Sequence, residues 1–135
     1  MKAWLSETPW ELLVLANQQL CEKAGCMHKI STASGKKAEE FWGANHQKKM
    51  SLQDMVLLCK RVHFQEPFVN MNGNTLAAVA LEASEPHIPK TCSKTELEEA
   101  ICTIIAGTVQ GREELLLKAE SETLDPPKKD GPELE

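Results

Sequence analysis

The run from Leu76 to Ala83 constrains the fold more than any other stretch, because it is apolar on every side until Glu82. A helix that is hydrophobic all round is normally buried inside a protein. The run is far too short to span a membrane, which takes about 20 apolar residues. We therefore expect it to form the central helix of a domain, where its alanines let neighbouring helices approach closely.

A capped helix is predicted upstream of this run. Ser51 has Asp54 three residues further on, a pattern typical of a helix N-terminus. From Leu52 onward, apolar residues recur at the spacing of one helix face. Pro67 disfavours helical geometry in the residue that precedes it. The sequence thus predicts a helix that begins after Ser51 and ends before Pro67.

The segment between these two helices is rich in asparagine. Asn72-Gly73 is a strong turn signal, because both residue types tolerate positive φ. Asn74 or Thr75 is then placed to cap the central helix. The chain is expected to be extended just after Pro67, and a short β-bridge within residues 68–71 remains an open alternative.

The first predicted helix runs from Pro9 to about Ala24, with Thr8 as its N-cap and Gly25 as its stop. Apolar spacing assigns it a broad buried face. The predicted face comprises Trp10, Leu13, Val14, Leu20, Cys21 and Ala24, extended by Leu12, Leu15 and Ala16.

Two further helices complete the prediction. Residues 26–37 lack periodicity and indicate a loop, and a short helix follows over residues 38–49. This helix meets the one after Ser51 either at a tight corner or as one kinked helix. Ser93 with Glu96 is a capping box, which predicts a long helix that fades near Glu120.

These elements predict an all-α fold, a single-domain bundle of about five helices over residues 1–120. Residues 121–135 contain three prolines and seven charges but little to bury, which predicts a disordered acidic tail. The net charge of −5 is uneven, since residues 1–90 carry +1 and residues 91–135 carry −6. This acidity argues against a nucleic-acid partner.

The five cysteines indicate free thiols rather than a disulfide framework, because their number is odd and their spacing irregular. The N-terminus lacks the pattern of a secretory signal, and no apolar stretch approaches the length of a membrane span. The expected setting is therefore reducing and cytoplasmic, with no membrane association.

Cys59 and His63 form one candidate metal site. They lie four residues apart on one predicted helix face, and Cys26 with His28 could complete a Cys2His2 set. The alternative is that Cys59 is a buried thiol acting as a small hydrophobe. A Cys–His nucleophile is a third interpretation, although it needs an orienting group. No cofactor is predicted, because nucleotide-binding motifs are absent from the sequence.

The asparagine-rich turn is a second candidate site, for an anion, a ligand or a partner. It leads into a helix N-terminus, where free amide groups favour negative charge. The alternative is a turn that only caps the central helix. The residues concerned are Phe68, Asn70, Asn72, Gly73, Asn74 and Thr75.

A basic segment with two aromatic residues is the candidate partner surface. Lysine with aromatic residues can bind acidic partners. A solvated surface, or one that pairs with the acidic end of the same chain, is the alternative. The residues are Lys36, Lys37, Phe41, Trp42, Lys48 and Lys49.

The leading functional hypothesis is a non-enzymatic module that binds another protein. One alternative is a small protein that binds a ligand, anion or metal through the candidate sites above. Another is an enzyme whose site forms only in the fold. A homodimer through Gly107 and Gly111, which lie four residues apart in the last predicted helix, also remains open.

Overall fold

The computed structural model describes residues 1–89 and 93–106, and this part of the chain contains five α-helices. Two isolated antiparallel bridges, Lys2 with Met50 and Ile30 with Phe68, join its loops. The all-α prediction is confirmed. The helices are α1 (Trp10–Ala24), α2 (Thr32–Asn45), α3 (Leu52–Gln65), α4 (Asn72–Ser84) and α5 (Lys94–Ala106), with a 3₁₀ turn, Glu85–His87, after α4.

Several sequence predictions fall outside the described residues. They are the continuation of the last helix to Glu120, the disordered tail over residues 121–135, and the Gly107/Gly111 face proposed for a homodimer.

Helix α4 holds the central position predicted for it. It packs against α1, α3 and α5, and Leu76 and Ala80 are fully buried. However, Ala78 and Glu82 are exposed, so α4 is not covered on every side by the described residues.

The predicted caps of α3 and α5 are confirmed. The Ser51 hydroxyl accepts a hydrogen bond of 3.0 Å from the Asp54 N–H, and the Ser93 hydroxyl accepts one of 3.2 Å from the Glu96 N–H. Helix α3 ends at Gln65, since Glu66 adopts the left-handed conformation with φ of 52° before Pro67. Each cap satisfies a backbone N–H that has no partner within its own helix.

The predicted position of α2 is wrong. The helix begins at Thr32, inside the predicted loop, and ends at Asn45. Its start depends on contacts with a distant residue: the Ser31 N–H bonds the Pro67 carbonyl at 2.8 Å, and a Cβ at Gly35 would lie only 3.3 Å from the same carbonyl oxygen. Such contacts leave no apolar period in the sequence. Six residues separate α2 from α3, so the two are not one kinked helix.

The predicted turn at Asn72-Gly73 is also displaced. Both residues belong to the first turn of α4, and the reversal falls at Met71, which is left-handed with φ of 65°. The bridge that the sequence left open at Phe68 is present, with Ile30 as its partner.

One continuous core joins all five helices. The three tryptophans fix its loops: the Trp4 indole N–H bonds the Met50 carbonyl at 2.9 Å, and that of Trp42 bonds the Thr8 carbonyl at 2.8 Å. Trp10 stacks on Phe68 with ring centroids 5.8 Å apart.

Candidate functional site

The asparagine-rich segment is engaged in internal contacts. The Asn72 side chain accepts a hydrogen bond of 2.9 Å from the Phe68 N–H and donates one of 2.7 Å to the Phe68 carbonyl. Phe68 and Thr75 are buried, whereas Asn74 is exposed. Asn70 donates to the Met27 carbonyl at 3.0 Å. Most of the polar groups that predicted a ligand site are therefore hydrogen-bonded within the chain.

Asn17 was not among the predicted site residues, and it is fully buried in the middle of α1. Its side-chain N–H groups donate to the Asn70 carbonyl at 2.8 Å and to the Thr75 hydroxyl at 3.0 Å. Its side-chain oxygen accepts from the Cys21 thiol at 3.6 Å and bonds His28 Nδ1 at 2.7 Å. These five residues form the Asn17 cluster. A signal existed, because Asn17 is the polar residue among the apolar positions of the α1 core face.

The Asn17 cluster fixes the proton on His28. A carbonyl oxygen only accepts, so the Asn70 carbonyl requires the amide nitrogen of Asn17 on its side. The Asn17 oxygen then faces His28, and Nδ1 of that ring must carry a hydrogen. Asn17 uses both of its N–H donors and both lone pairs, so the cluster is internally satisfied.

The Cys59/His63 pair lies on α3 in two different environments. Cys59 is fully buried, and burial raises the pKa of its thiol to about 12. His63 is half-buried, and its ring packs beneath Gly73, whose Cβ position lies 3.4 Å from His63 Cε1. Burial lowers the pKa of His63, although the Glu66 carboxylate acts in the opposite direction.

The residues proposed as metal ligands do not converge. Cys26 follows the end of α1, and His28 bonds Asn17, while Cys59 and His63 lie on α3. Within residues 1–89 and 93–106, no group of three or more His, Cys, Asp or Glu side chains could hold a metal ion. A buried thiol with a raised pKa is also a poor nucleophile.

The basic candidate surface is divided by the fold. Trp42 is fully buried, and Phe41 is half-buried with the Arg61 guanidinium 4.7 Å from its ring centroid. Lys36 and Lys37 lie exposed on α2, and Lys48 follows that helix and bonds Asn45. Trp42 is thus unavailable to a partner that contacts these lysines.

A groove of about 1110 Å³ lies between α1, α4 and the N-terminal segment. Apolar spacing predicted that Leu12 and Leu15 lie on the buried face of α1. This prediction is wrong, because the two side chains are 44% and 46% exposed. They line the groove together with Ala16 of α1 and with Ala78 and the buried Val79 of α4. We call this feature the α1–α4 groove.

Helix α1 carries two separate apolar stripes. Trp10, Leu13 and Cys21 face the core. The second stripe faces the α1–α4 groove and has helical spacing, i, i+3, i+4 and i+8. Its members are Leu12, Leu15, Ala16 and Leu20. The sequence merged the two stripes into one broad face, because apolar spacing does not show where a neighbouring helix ends.

Polar groups surround the apolar floor of the α1–α4 groove. Glu22 and Lys23 lie at the C-terminal end of α1, and Glu82 lies on α4. Trp4 and His87 also line the groove, and their rings pack nearly perpendicular to each other with centroids 5.7 Å apart. An apolar floor with a polar rim is typical of a protein-binding surface.

No helix in the described part of the chain is long and apolar enough to cross a membrane. The chain matches no family model, and no curated protein or solved structure is significantly similar to it.

Proposed function

We propose that the protein is a non-enzymatic interaction module that binds an amphipathic helix of another protein in the α1–α4 groove. The observation that carries the proposal is the exposed stripe of Leu12 and Leu15, at 44% and 46%, along an apolar groove. Contiguous exposed apolar surface rimmed by polar residues marks interaction sites in soluble proteins.

The shape of the groove favours a helix as the occupant. Its walls are two helices, and its lining on α1 extends from Leu12 to Lys23, roughly 17 Å or about three helical turns. Ala16, Ala78 and Ala83 contribute only small side chains to the lining, so the backbone of a third helix can approach closely. A helix in such a groove presents apolar residues at i, i+3, i+4 and i+7.

The charges at the rim set orientation more than affinity. Glu82 lies on one wall, while Glu22 and Lys23 are neighbours on the other. Rim charges of both signs make binding of a partner helix more favourable in one register than in others. The apolar stripe, in contrast, is where burial supplies binding energy, at about 25 cal/mol per Å² of apolar surface.

The test is site-specific photocrosslinking of the full chain in an extract of its own cells. A benzophenone amino acid replaces Leu15 in one variant and Val69 in the other. Val69 is a matched control, because it is also an apolar residue with 46% exposure but does not line the α1–α4 groove. We expect an adduct from position 15 only, and mass spectrometry should locate it in an amphipathic helix of another protein.

Four results would overturn the proposal. They are no adduct at position 15, equal adducts at both positions, an adduct to a second copy of this chain, and an intramolecular adduct to residues 107–135. As a second readout, Leu15→Lys should weaken binding of the identified partner at least about tenfold while the unfolding free energy changes by no more than about 0.5 kcal/mol.

A further inference from the structure

The C-terminal end of α1 brings two cysteines together. Gly25 is left-handed with φ of 73°, its N–H bonds the Glu22 carbonyl at 3.3 Å, and the Cys26 N–H bonds the Cys21 carbonyl at 3.0 Å. This pair of bonds is a Schellman motif, in which the two residues joined by the longer hydrogen-bonded loop place their side chains in contact. That contact is usually apolar, and here both residues are cysteines.

The backbone geometry permits a covalent bond between the two thiols. A direct hydrogen bond from one backbone N–H to the other residue's carbonyl places the Cα atoms roughly 6 Å apart, within the range that disulfides span. Cys21 and Cys26 are free thiols in the structure. The motif therefore holds the two thiols on residues whose Cα separation suits a disulfide.

The two thiols differ in their access to solvent. Cys26 is half-buried, whereas Cys21 is fully buried and donates its S–H to Asn17. Burial, and then the neighbouring Cys26 thiol, raise the pKa of Cys21. An oxidant thus reaches Cys26 first. Cys21 is a weak nucleophile toward molecules in solution, but it lies beside Cys26 in the same motif, so it resolves the product by an intramolecular attack that proximity favours.

We propose that Cys21 and Cys26 are a reversible redox site that reacts with low-molecular-weight disulfides of the glutathione class. The thiolate of Cys26 attacks one sulfur of the disulfide, which forms a mixed disulfide and releases one thiolate that takes up the Cys26 proton. Cys21 then attacks the Cys26 sulfur, the protein disulfide forms, and the second small thiolate leaves with the Cys21 proton. The protein loses two electrons, and one small disulfide is reduced to two thiols.

Oxidation has a structural consequence beyond α1. The Cys21 S–H is one of the groups bonded to the Asn17 oxygen. Closing the disulfide removes that donor from the Asn17 cluster, which joins α1 to Thr75 of α4 and to Asn70. The site therefore couples the oxidation state of the thiols to the contact between α1 and α4.

The test incubates the native full chain with mixtures of oxidised and reduced glutathione, followed by acid quenching and tryptic mapping. Trypsin cleaves after Lys23, so residues 3–23 and 24–29 stay joined only by the proposed disulfide. We expect the linked pair in the unmodified chain. In Cys21→Ser, the mixed disulfide at Cys26 should accumulate at least about tenfold above its level in the unmodified chain, because the resolving thiol is absent.

Two glycine variants test whether the left-handed cap of α1 favours formation of the disulfide. Gly25→Ala opposes the left-handed cap, so the oxidised glutathione needed for half-conversion should rise about fivefold. Gly43→Ala is the matched control, since Gly43 also has no heavy atom within 4 Å of a Cβ but has no positive φ. Three results would overturn the proposal: a mixed disulfide that persists at Cys26 in the unmodified chain, a disulfide that joins either thiol to Cys102 instead, and equal shifts in the two glycine variants.

Discussion

Two faces of α1 are rich in apolar residues but differ in what covers them. On the core face, Leu13 is fully buried, and even the polar Asn17 is enclosed with all of its hydrogen bonds made. On the groove face, Leu12 and Leu15 remain nearly half exposed. The core face is covered and its polar groups are hydrogen-bonded within the chain. The described residues leave the groove face partly exposed.

This difference shows that polarity alone does not separate core from surface. A buried amide is stable where every donor and acceptor finds a partner, because an unmade hydrogen bond costs about 1–3 kcal/mol. An exposed leucine costs little by itself, but a stripe of them at helical spacing indicates a missing neighbour. In this chain, the polar residue is structural and the apolar stripe is the candidate for function.

The largest expected effect on stability comes from removing the Asn17 side chain on the core face of α1. Asn17→Ala leaves the Asn70 carbonyl and the Thr75 hydroxyl without their buried donor and His28 Nδ1 without its acceptor, so the unfolding free energy should fall by roughly 2–4 kcal/mol. Leu15→Ala is the control on the other face and should cost less than about 1 kcal/mol. Urea unfolding followed by circular dichroism measures both. Equal losses would mean that Leu15 is covered in the folded chain.

A smaller effect repeats the contrast at the start of α4, where one asparagine is bonded and its neighbour is exposed. Asn72→Ala removes both hydrogen bonds to Phe68 and should lower the unfolding free energy by about 1–2 kcal/mol. Asn74→Ala should change it by less than about 0.5 kcal/mol, because Asn74 is exposed. Thermal unfolding of the two variants side by side is the measurement, and a reversed order would show that Asn72 is not the structural residue.

The smallest effect concerns His63, which is half-buried and so lies between the buried core face and the exposed groove face in accessibility. Burial lowers its pKa from the ordinary 6.5, so the unfolded chain binds a proton on this residue more readily than the folded protein does. Stability from this residue is therefore complete above pH 6.5 and declines as the pH falls from 6.5 through the lower pKa of the folded state. His63→Gln should flatten that part of the profile of unfolding free energy against pH. If the profiles of the unmodified chain and of His63→Gln superimpose, the lowered pKa of folded His63 is contradicted.

The capped helices were predictable because their signals are local. Ser51 and Ser93 bond N–H groups three residues away, and Gly25 adopts positive φ at the end of its own helix. The start of α2 was not predictable, because Ser31 and Gly35 depend on Pro67, which is more than 30 positions away. Asn72 was assigned to a turn because Asn-Gly pairs tolerate positive φ, and no sequence pattern shows that its side chain instead bonds the N–H and carbonyl of Phe68.

The candidate sites divide along the same line. The sequence identified chemically capable residues such as Cys59, His63 and the asparagines, but a spacing of four along one helix says nothing about which loops lie opposite. Asn17, which joins two helices and two loops, appears in sequence as one polar residue within an apolar stripe. The α1–α4 groove has no signal of its own, because it is a space between elements that are distant in the chain.

The sequence by itself determined the all-helical class, the central position of α4 and most helix ends, because periodicity and capping act over only a few residues. Tertiary structure alone decided which apolar stripe of α1 is buried and which polar groups, Asn17 among them, are satisfied. The physical reason is that burial depends on what packs against a surface. Apolar residues indicate that a face of a helix is stable when another surface packs on it. Only the packing of α1, α4 and the N-terminal segment shows which face the described residues leave exposed.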